Sequence, residues 1–171
     1  MGVTNFDIIR ANQVMTPQLA VQLYSSPGGK IWYVNNATAG LPDEAIGGSN
    51  GNQGDSPLAP FSTIDYAVGR CKDSRNDLIV VLAGHVESVT AAAGLDLDVI
   101  GITIVFCGNG ANRATRKFGT AVGADMDVDA ANITLVNPLF LSDIDALTGP
   151  IDVNAADFTI INGEYRDAAA K

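Results

Sequence analysis

The sequence predicts an all-β fold in which short parallel strands stack as the successive rungs of a solenoid. Three segments share a core of the form apolar-Thr-apolar-apolar, at residues 102–105, 133–136 and 158–161. The cores begin at Ile102, Ile133 and Phe158, a spacing typical of the coils of a stacked repeat. Each copy is too short to bury its own apolar face, so neighbouring copies must pack on one another. We therefore expect rungs over about residues 77–167.

The segment before the repeats differs in character from the rest. Residues 1–29 hold scattered apolar residues and no repeat, and they end in Ser-Ser-Pro-Gly-Gly, which favours a break in regular structure. We interpret them as an N-terminal arm, which either packs on the body as a short strand and an amphipathic turn or reaches another subunit. Residues 30–171 then form one solenoid domain.

The first elements of this domain follow from the local sequence. Residues 31–35 are β-branched and aromatic and predict a strand, whereas residues 39–60 are rich in glycine and proline and predict a loop. Apolar residues at helical spacing over about residues 61–72 predict one amphipathic helix that caps the solenoid, with Ser62 or Thr63 as its N-cap. Residues 78–82 predict a buried strand, and residues 109–127 predict an enlarged loop between two rungs.

The shared positions of the repeat must form columns, because successive side chains of a strand point to opposite faces. Two columns are predicted to fill the interior: Ile102, Ile133 and Phe158, and Ile104, Leu135 and Ile160. An outer face is predicted to carry Thr103, Thr134 and Thr159. Asn137 and Asn162 follow their strands, where asparagine tolerates a left-handed bend and can hydrogen-bond along the stack.

A third column is apolar although it points outward under the same assignment. It consists of Val105, Val136 and Ile161. A continuous apolar stripe on a surface favours contact with another subunit. These three residues are the predicted subunit interface of a homotrimer, since a cyclic arrangement closes without leaving an edge patch free.

Two segments carry a family resemblance. Residues 55–67, Asp-Ser-Pro-Leu-Ala-Pro-Phe-Ser-Thr-Ile-Asp-Tyr-Ala, followed by Asp-Leu-Ile-Val-Val-Leu-Ala-Gly at residues 77–84, resemble the start of the pectate-lyase-like right-handed parallel β-helix superfamily. The resemblance covers about residues 31–167 and implies a helix that caps the first coil. The superfamily includes polysaccharide lyases and hydrolases, phage tailspikes and other virion proteins, so the resemblance is specific for fold rather than for activity.

Residues suited to catalysis are sparse. Glycoside cleavage needs an acid and a second carboxylate, and Asp98 and Asp129 come nearest to such a pair because they occupy equivalent positions in two rungs. We favour their interpretation as solvated turn residues. His85 is the only histidine and lacks the partners of a catalytic triad, so a structural role is favoured. Residues 125–129 lack the pattern of a calcium loop, and residues 47–54 lack that of a phosphate loop. No catalytic residue, metal or cofactor is predicted.

Composition limits the partners. The 171 residues carry 19 acidic and 10 basic groups, a formal charge of −9, which disfavours nucleic acid. No apolar run approaches the ~18 residues of a membrane span. The first residues lack a secretory pattern, so we expect folding in the cytoplasm with Cys71 and Cys107 reduced.

Arg113, Arg116 and Lys117 form one basic cluster, either a solvated loop or a docking patch for an acidic partner surface.

These features favour a non-enzymatic structural protein of a virion. Few residues follow the last rung, so the end of the solenoid exposes strand edges and apolar core unless a partner covers it. We predict a capsid decoration (cement) protein of a bacteriophage, assembled in the host cytoplasm and bound as a homotrimer to the major capsid protein or another virion protein. The alternatives are a tailspike or adhesin segment that binds host carbohydrate, and a polysaccharide lyase or hydrolase.

Overall fold

Twelve short strands in three parallel sheets wind into a solenoid of about three turns. The computed structural model describes residues 14–92, 94–119, 121–144 and 147–167, and the elements named here lie in these ranges. The first sheet contains β1 (Ile31–Val34), β2 (Leu78–Val81), β5 (Thr103–Phe106), β8 (Ile133–Val136) and β11 (Phe158–Ile161), in that order. The second sheet contains β4 (Asp96–Leu97), β7 (Met126–Val128) and β10 (Ile151–Val153). The third sheet contains β3 (Val86–Val89), β6 (Thr115–Phe118), β9 (Leu139–Ser142) and β12 (Glu164–Asp167).

The register of the first sheet confirms the alignment of the interior columns predicted from the repeat, although Ile160, at the last rung, is 40 % exposed rather than buried. Leu135 of β8 pairs with Ile104 of β5 on one side and with Ile160 of β11 on the other. Ile133 pairs with Phe158 in the neighbouring column. Ile104, Leu135 and Ile133 are all buried in the interior cluster, against which Phe158 packs. The three-sided interior is therefore filled by side chains that the sequence repeat brings into line.

The N-terminal end of the interior is closed by the chain itself. Phe61 forms an isolated parallel bridge with Val34 of β1 and packs against Trp32 with ring centroids 5.6 Å apart. Gly54 makes room for this ring, because a Cβ at that position would lie 2.3 Å from the Phe61 ring. The loop that contains these residues thus extends the first sheet beyond β1 and covers the apolar interior.

The capping helix is shorter than the sequence predicts. Helix α2 spans Ile64–Val68, and its N-cap is Thr63, whose side chain accepts a hydrogen bond from the amide of Tyr66 at 3.3 Å. Beyond Gly69 the amide of Cys71 bonds to Val68, three residues back. This tighter bonding ends the α-helix before residue 72.

Part of the N-terminal segment packs on the outer face of the first sheet. Helix α1 spans Pro17–Tyr24, with Thr16 as its N-cap and Ala20 fully buried. Met15, just before this helix, forms an antiparallel bridge with Gly108. The predicted arm of residues 1–29 therefore lies against the body from residue 14 onward, and residues 1–13 lie outside the described residues.

The prediction of an enlarged loop at residues 109–127 is wrong. A 3₁₀ turn at Gly110–Asn112 is followed by β6, which pairs with β3 and β9 in the third sheet. The strand was not predicted because its sequence, Thr-Arg-Lys-Phe, lacks the alternation of apolar and polar residues that marks a half-buried strand.

Candidate functional site

The outer apolar column is mostly covered by the chain itself. Val105 and Val136 are 0 % and 2 % exposed and belong to a second apolar cluster with Met15 and Ala20, from the segment that contains α1. Ile161, the third member of the column, is 42 % exposed. The premise that all three form a free stripe is therefore incorrect, because α1 and Met15 occupy the place where a neighbouring subunit was expected.

Arg116 lies inside the solenoid rather than on a docking surface. Its side chain is 1 % exposed and shares a column with Glu87 of β3 and Phe140 of β9. Arg116 Nη1 lies 2.8 Å from Glu87 Oε1, and Arg116 Nη2 donates to the carbonyl of Gly94 at 2.7 Å. A buried arginine of this kind is unavailable to a partner while the solenoid is folded.

Arg113 is also turned into the protein, where it joins several rungs. Its guanidinium donates to the carbonyls of Asn137, Pro138 and Asn162 at 2.9, 2.8 and 2.7 Å. It also pairs with Glu164 at 2.9 Å. These carbonyls lie at the same corner of two successive rungs, so Arg113 connects its own rung to the two that follow it.

Lys117 is the one member of the basic cluster with substantial exposure. Its side chain is 30 % exposed and forms an ion pair with Asp143. The three residues therefore do not make a shared basic patch, since two of them are buried and the third is paired.

His85 and Glu87 form a buried polar network beneath α2. The amide of Asn36 donates to His85 Nδ1 at 3.1 Å, so Nε2 carries the proton and donates to Glu87 Oε2, also at 3.1 Å. The same carboxylate oxygen accepts from the amide of Ile64, the first residue of α2, at 2.9 Å. Burial raises the pKa of Glu87, but the hydrogen bond from His85, the charge of Arg116 and the Ile64 amide outweigh it and hold that pKa below its usual value. Each of these polar groups has a structural partner.

Asp98 and Asp129 belong to a larger acidic ladder on the second sheet. Asp127 of β7 pairs in register with Asp96 of β4 and with Asp152 of β10. Asp98 and Asp129 follow β4 and β7 by one residue, and Asn154 donates to Asp129 at 3.0 Å. Burial and then the neighbouring carboxylates raise the pKa of Asp96 and of Asp127. The ladder has carboxylates but no arginine or lysine within ion-pair distance among the described residues.

The two cysteines lie in the protein interior. Cys71 and Cys107 are free and buried, and burial is the main cause that raises the pKa of each thiol to about 12.

Within the described ranges no group of three or more His, Cys, Asp or Glu side chains is arranged to hold a metal ion. No helix in the same ranges is long and apolar enough to cross a membrane.

The C-terminal end of the described solenoid is open. Among the described residues, strands β10, β11 and β12 each pair with another strand on one side only. Two interior columns end here in a half-exposed side chain: Ile160 is 40 % exposed above Leu135 at 1 %, and Val153 is 46 % exposed above Val128 at 0 %. Tyr165, at the end of a third column, is 50 % exposed. We call Val153, Ile160, Ile161 and Tyr165 with their strands the open end.

Comparison with protein families, curated proteins and solved structures found no match to this chain. The solenoid and its surfaces are therefore the basis for assigning a function.

Proposed function

We propose that this protein is a non-enzymatic virion structural protein, a bacteriophage capsid decoration protein that docks through its open end. The observation that carries the proposal is the contrast within one column, where Leu135 is buried and Ile160 above it is half-exposed. Exposed apolar core and unpaired strand edges favour association with another protein surface. The virion setting rests on the resemblance of residues 55–67 and 77–84 to a superfamily that includes virion proteins.

The contacts of the polar side chains that were considered for catalysis support a structural rather than an enzymatic role. His85 and Glu87 bond to each other and to backbone amides. Asp98 and Asp129 lie in an acidic ladder that, among the described residues, has no arginine or lysine within ion-pair distance to help bind an acidic substrate.

The homotrimer is part of the same proposal, with its contact reduced to the exposed end of the outer column, beside the surface that docks. Because Val105 and Val136 are covered by the segment that contains α1, Ile161 is the member of that column still free to meet a neighbour. Three chains related by a cyclic axis would present their open ends to the capsid together. The major capsid protein or another virion protein is the proposed partner.

Particles of the virus that encodes this chain provide the test. Purified particles should contain the protein, and Ile160→Asp should remove it from them, since a charge in a covered apolar contact is costly. Val86→Asp is the matched control, because Val86 is 48 % exposed on β3, at the opposite edge of the third sheet. If Ile160→Asp fails to fold, Tyr165→Asp takes its place. Native mass spectrometry of the purified chain should give a trimer.

Normal incorporation of a folded open-end variant would contradict the proposal, as would particles that lack the wild-type protein. A monomer at micromolar concentration would contradict the trimer.

A further inference from the structure

A groove at the N-terminal end of the solenoid has no part in the proposed assembly function. It has a volume of about 770 Å³ and lies between β1, residues 50–55 and the helix α2. Its lining includes Lys30, Trp32, Asp55, Tyr66 and Arg70. The open end lies at the opposite end of the stack, so a ligand in this groove would leave the open end free.

Two cations converge on one aromatic ring in this groove. Lys30 Nζ lies 5.3 Å and Arg70 Cζ 6.0 Å from the centroid of the Trp32 ring. Both cationic side chains are exposed, and neither has an ion-pair partner among the described residues. Five other basic residues in the described ranges are each paired with a carboxylate: Arg75, Arg113, Arg116, Lys117 and Arg166. On a chain with a formal charge of −9, two neighbouring unpaired cations are suited to an anionic ligand.

The wall formed by residues 50–55 is held in place by its own side chains. Asn50 Oδ1 accepts from the amide of Ser62 at 3.0 Å, and Asn52 Nδ2 donates to the carbonyl of Pro60 at 2.8 Å. Gln53 and Asp55, in contrast, are exposed, and their side chains have no hydrogen bond to other described residues. The loop therefore presents a free amide and a free carboxylate on a fixed backbone, which limits the entropy lost on binding.

Aromatic surface completes the groove. Tyr66 packs edge-on against Phe61, with ring centroids 4.9 Å apart, and is 38 % exposed. Its ring offers an apolar face beside its hydroxyl group. A ligand with both hydroxyl groups and an apolar face could use this surface together with Asp55.

We propose that this groove binds a saccharide that carries a carboxylate group. Lys30 and Arg70 bind the carboxylate, and Arg70 can do so with two parallel hydrogen bonds. Asp55 can only accept hydrogen bonds when ionised, so it fits the hydroxyl donors of a sugar. Tyr66 packs against the apolar face of the sugar ring.

Isothermal titration of the full chain with an oligosaccharide that contains glucuronate tests this assignment. We expect binding at least tenfold tighter than that of a neutral oligosaccharide of the same length. Lys30→Gln and Arg70→Gln should each weaken it at least tenfold, and Asp55→Asn should also weaken it. Lys72→Gln is the matched control, because Lys72 is exposed and lies outside the lining of the groove. Each variant must keep the melting temperature of the wild type.

Three results would overturn the assignment. They are no binding of the acidic saccharide by the folded wild type, equal affinity for the neutral one, and equal affinity for a poly-glutamate peptide or inorganic sulfate. None of these results bears on particle incorporation, so this site and the assembly function can fail independently.

Discussion

Asn162 donates a hydrogen bond from its side-chain amide to the side-chain oxygen of Asn137, 2.8 Å away on the neighbouring rung. Asn137 in turn donates to the carbonyl of Phe106 at 2.7 Å. Both asparagines have a left-handed backbone, with φ of 54° and 58°, respectively. The ladder joins three rungs at one corner of the solenoid, as the repeat predicted.

Asn137→Ala should cost more stability than the same change at Asn132. Both positions have positive φ, 58° and 60°, so both variants place alanine in a left-handed conformation. Asn137 is buried and bonded to Phe106, whereas Asn132 is exposed. Leaving the Phe106 carbonyl unsatisfied should add about 1–3 kcal/mol in urea unfolding. Equal costs for the two variants would show that the ladder contributes nothing.

Arg116→Met should destabilise the chain by about 3–5 kcal/mol, because it leaves the Glu87 carboxylate buried without its charge partner. Lys117→Met is the matched control one residue along the same strand. The side chains of Lys117 and Asp143 are 30 % and 33 % exposed, so this variant should lose at most about 1 kcal/mol. Chemical denaturation measures both. A small loss at Arg116 would mean that this side chain is not buried with Glu87.

Asp127→Asn should stabilise the chain at pH 7 by about 0.2–1 kcal/mol, since like charges directly opposite each other on neighbouring strands are unfavourable. The pKa of Asp127 is raised above 3.8 by burial and by the adjacent carboxylates, so the folded state holds this proton more tightly than the unfolded state. Its ionisation therefore lowers stability as pH rises above 3.8. The advantage of the asparagine variant should fade as the pH falls to 3.8 and below.

Urea midpoints at several pH values measure this difference, with Asp43→Asn, in an exposed loop, as the control. A variant that is less stable than the wild type at pH 7 would contradict the repulsive ladder.

Leu135→Ala should cost about 2–5 kcal/mol through the cavity that it leaves in the interior. Ile160→Ala, at the next position of the same column, should cost only about 1 kcal/mol, because Ile160 is 40 % exposed. Unfolding of the chain at concentrations where it is monomeric provides the comparison. Similar losses at the two positions would show that Ile160 is covered in the free chain.

The repeat was sufficient to predict the parallel stack and its interior columns, because it fixes both the register and the direction of each side chain. The strand β6 was missed since one of its three buried residues is Arg116, a charged side chain whose partner, Glu87, lies on the preceding rung and far back in the sequence. A basic residue with a distant buried partner looks like a solvated one in the sequence. If the number of residues in each rung were known, the sequence would show that Glu87 and Arg116 occupy equivalent positions on neighbouring rungs.

The column of Val105, Val136 and Ile161 points outward as predicted. Its first two members are covered by the N-terminal segment of the same chain and not by another subunit. Nothing in the repeat shows that Met15 and Ala20 pack over Val105 and Val136, since the N-terminal segment does not share the periodicity that orders the rest. The groove at Trp32 was missed for a similar reason. Lys30 and Arg70 are far apart in the sequence and meet only because α2 folds back onto β1.

Hydrogen–deuterium exchange on the free and the particle-bound protein tests the proposed docking surface most directly. In the free chain, amides of Phe158–Ile161 and Glu164–Asp167 should exchange faster than those of Ile133–Val136, since within the described part of the chain the terminal strands pair on one side only. Binding to the particle should slow exchange in the terminal strands and leave β3 unchanged. Unchanged exchange in the terminal strands on binding, with protection elsewhere, would contradict docking through the open end.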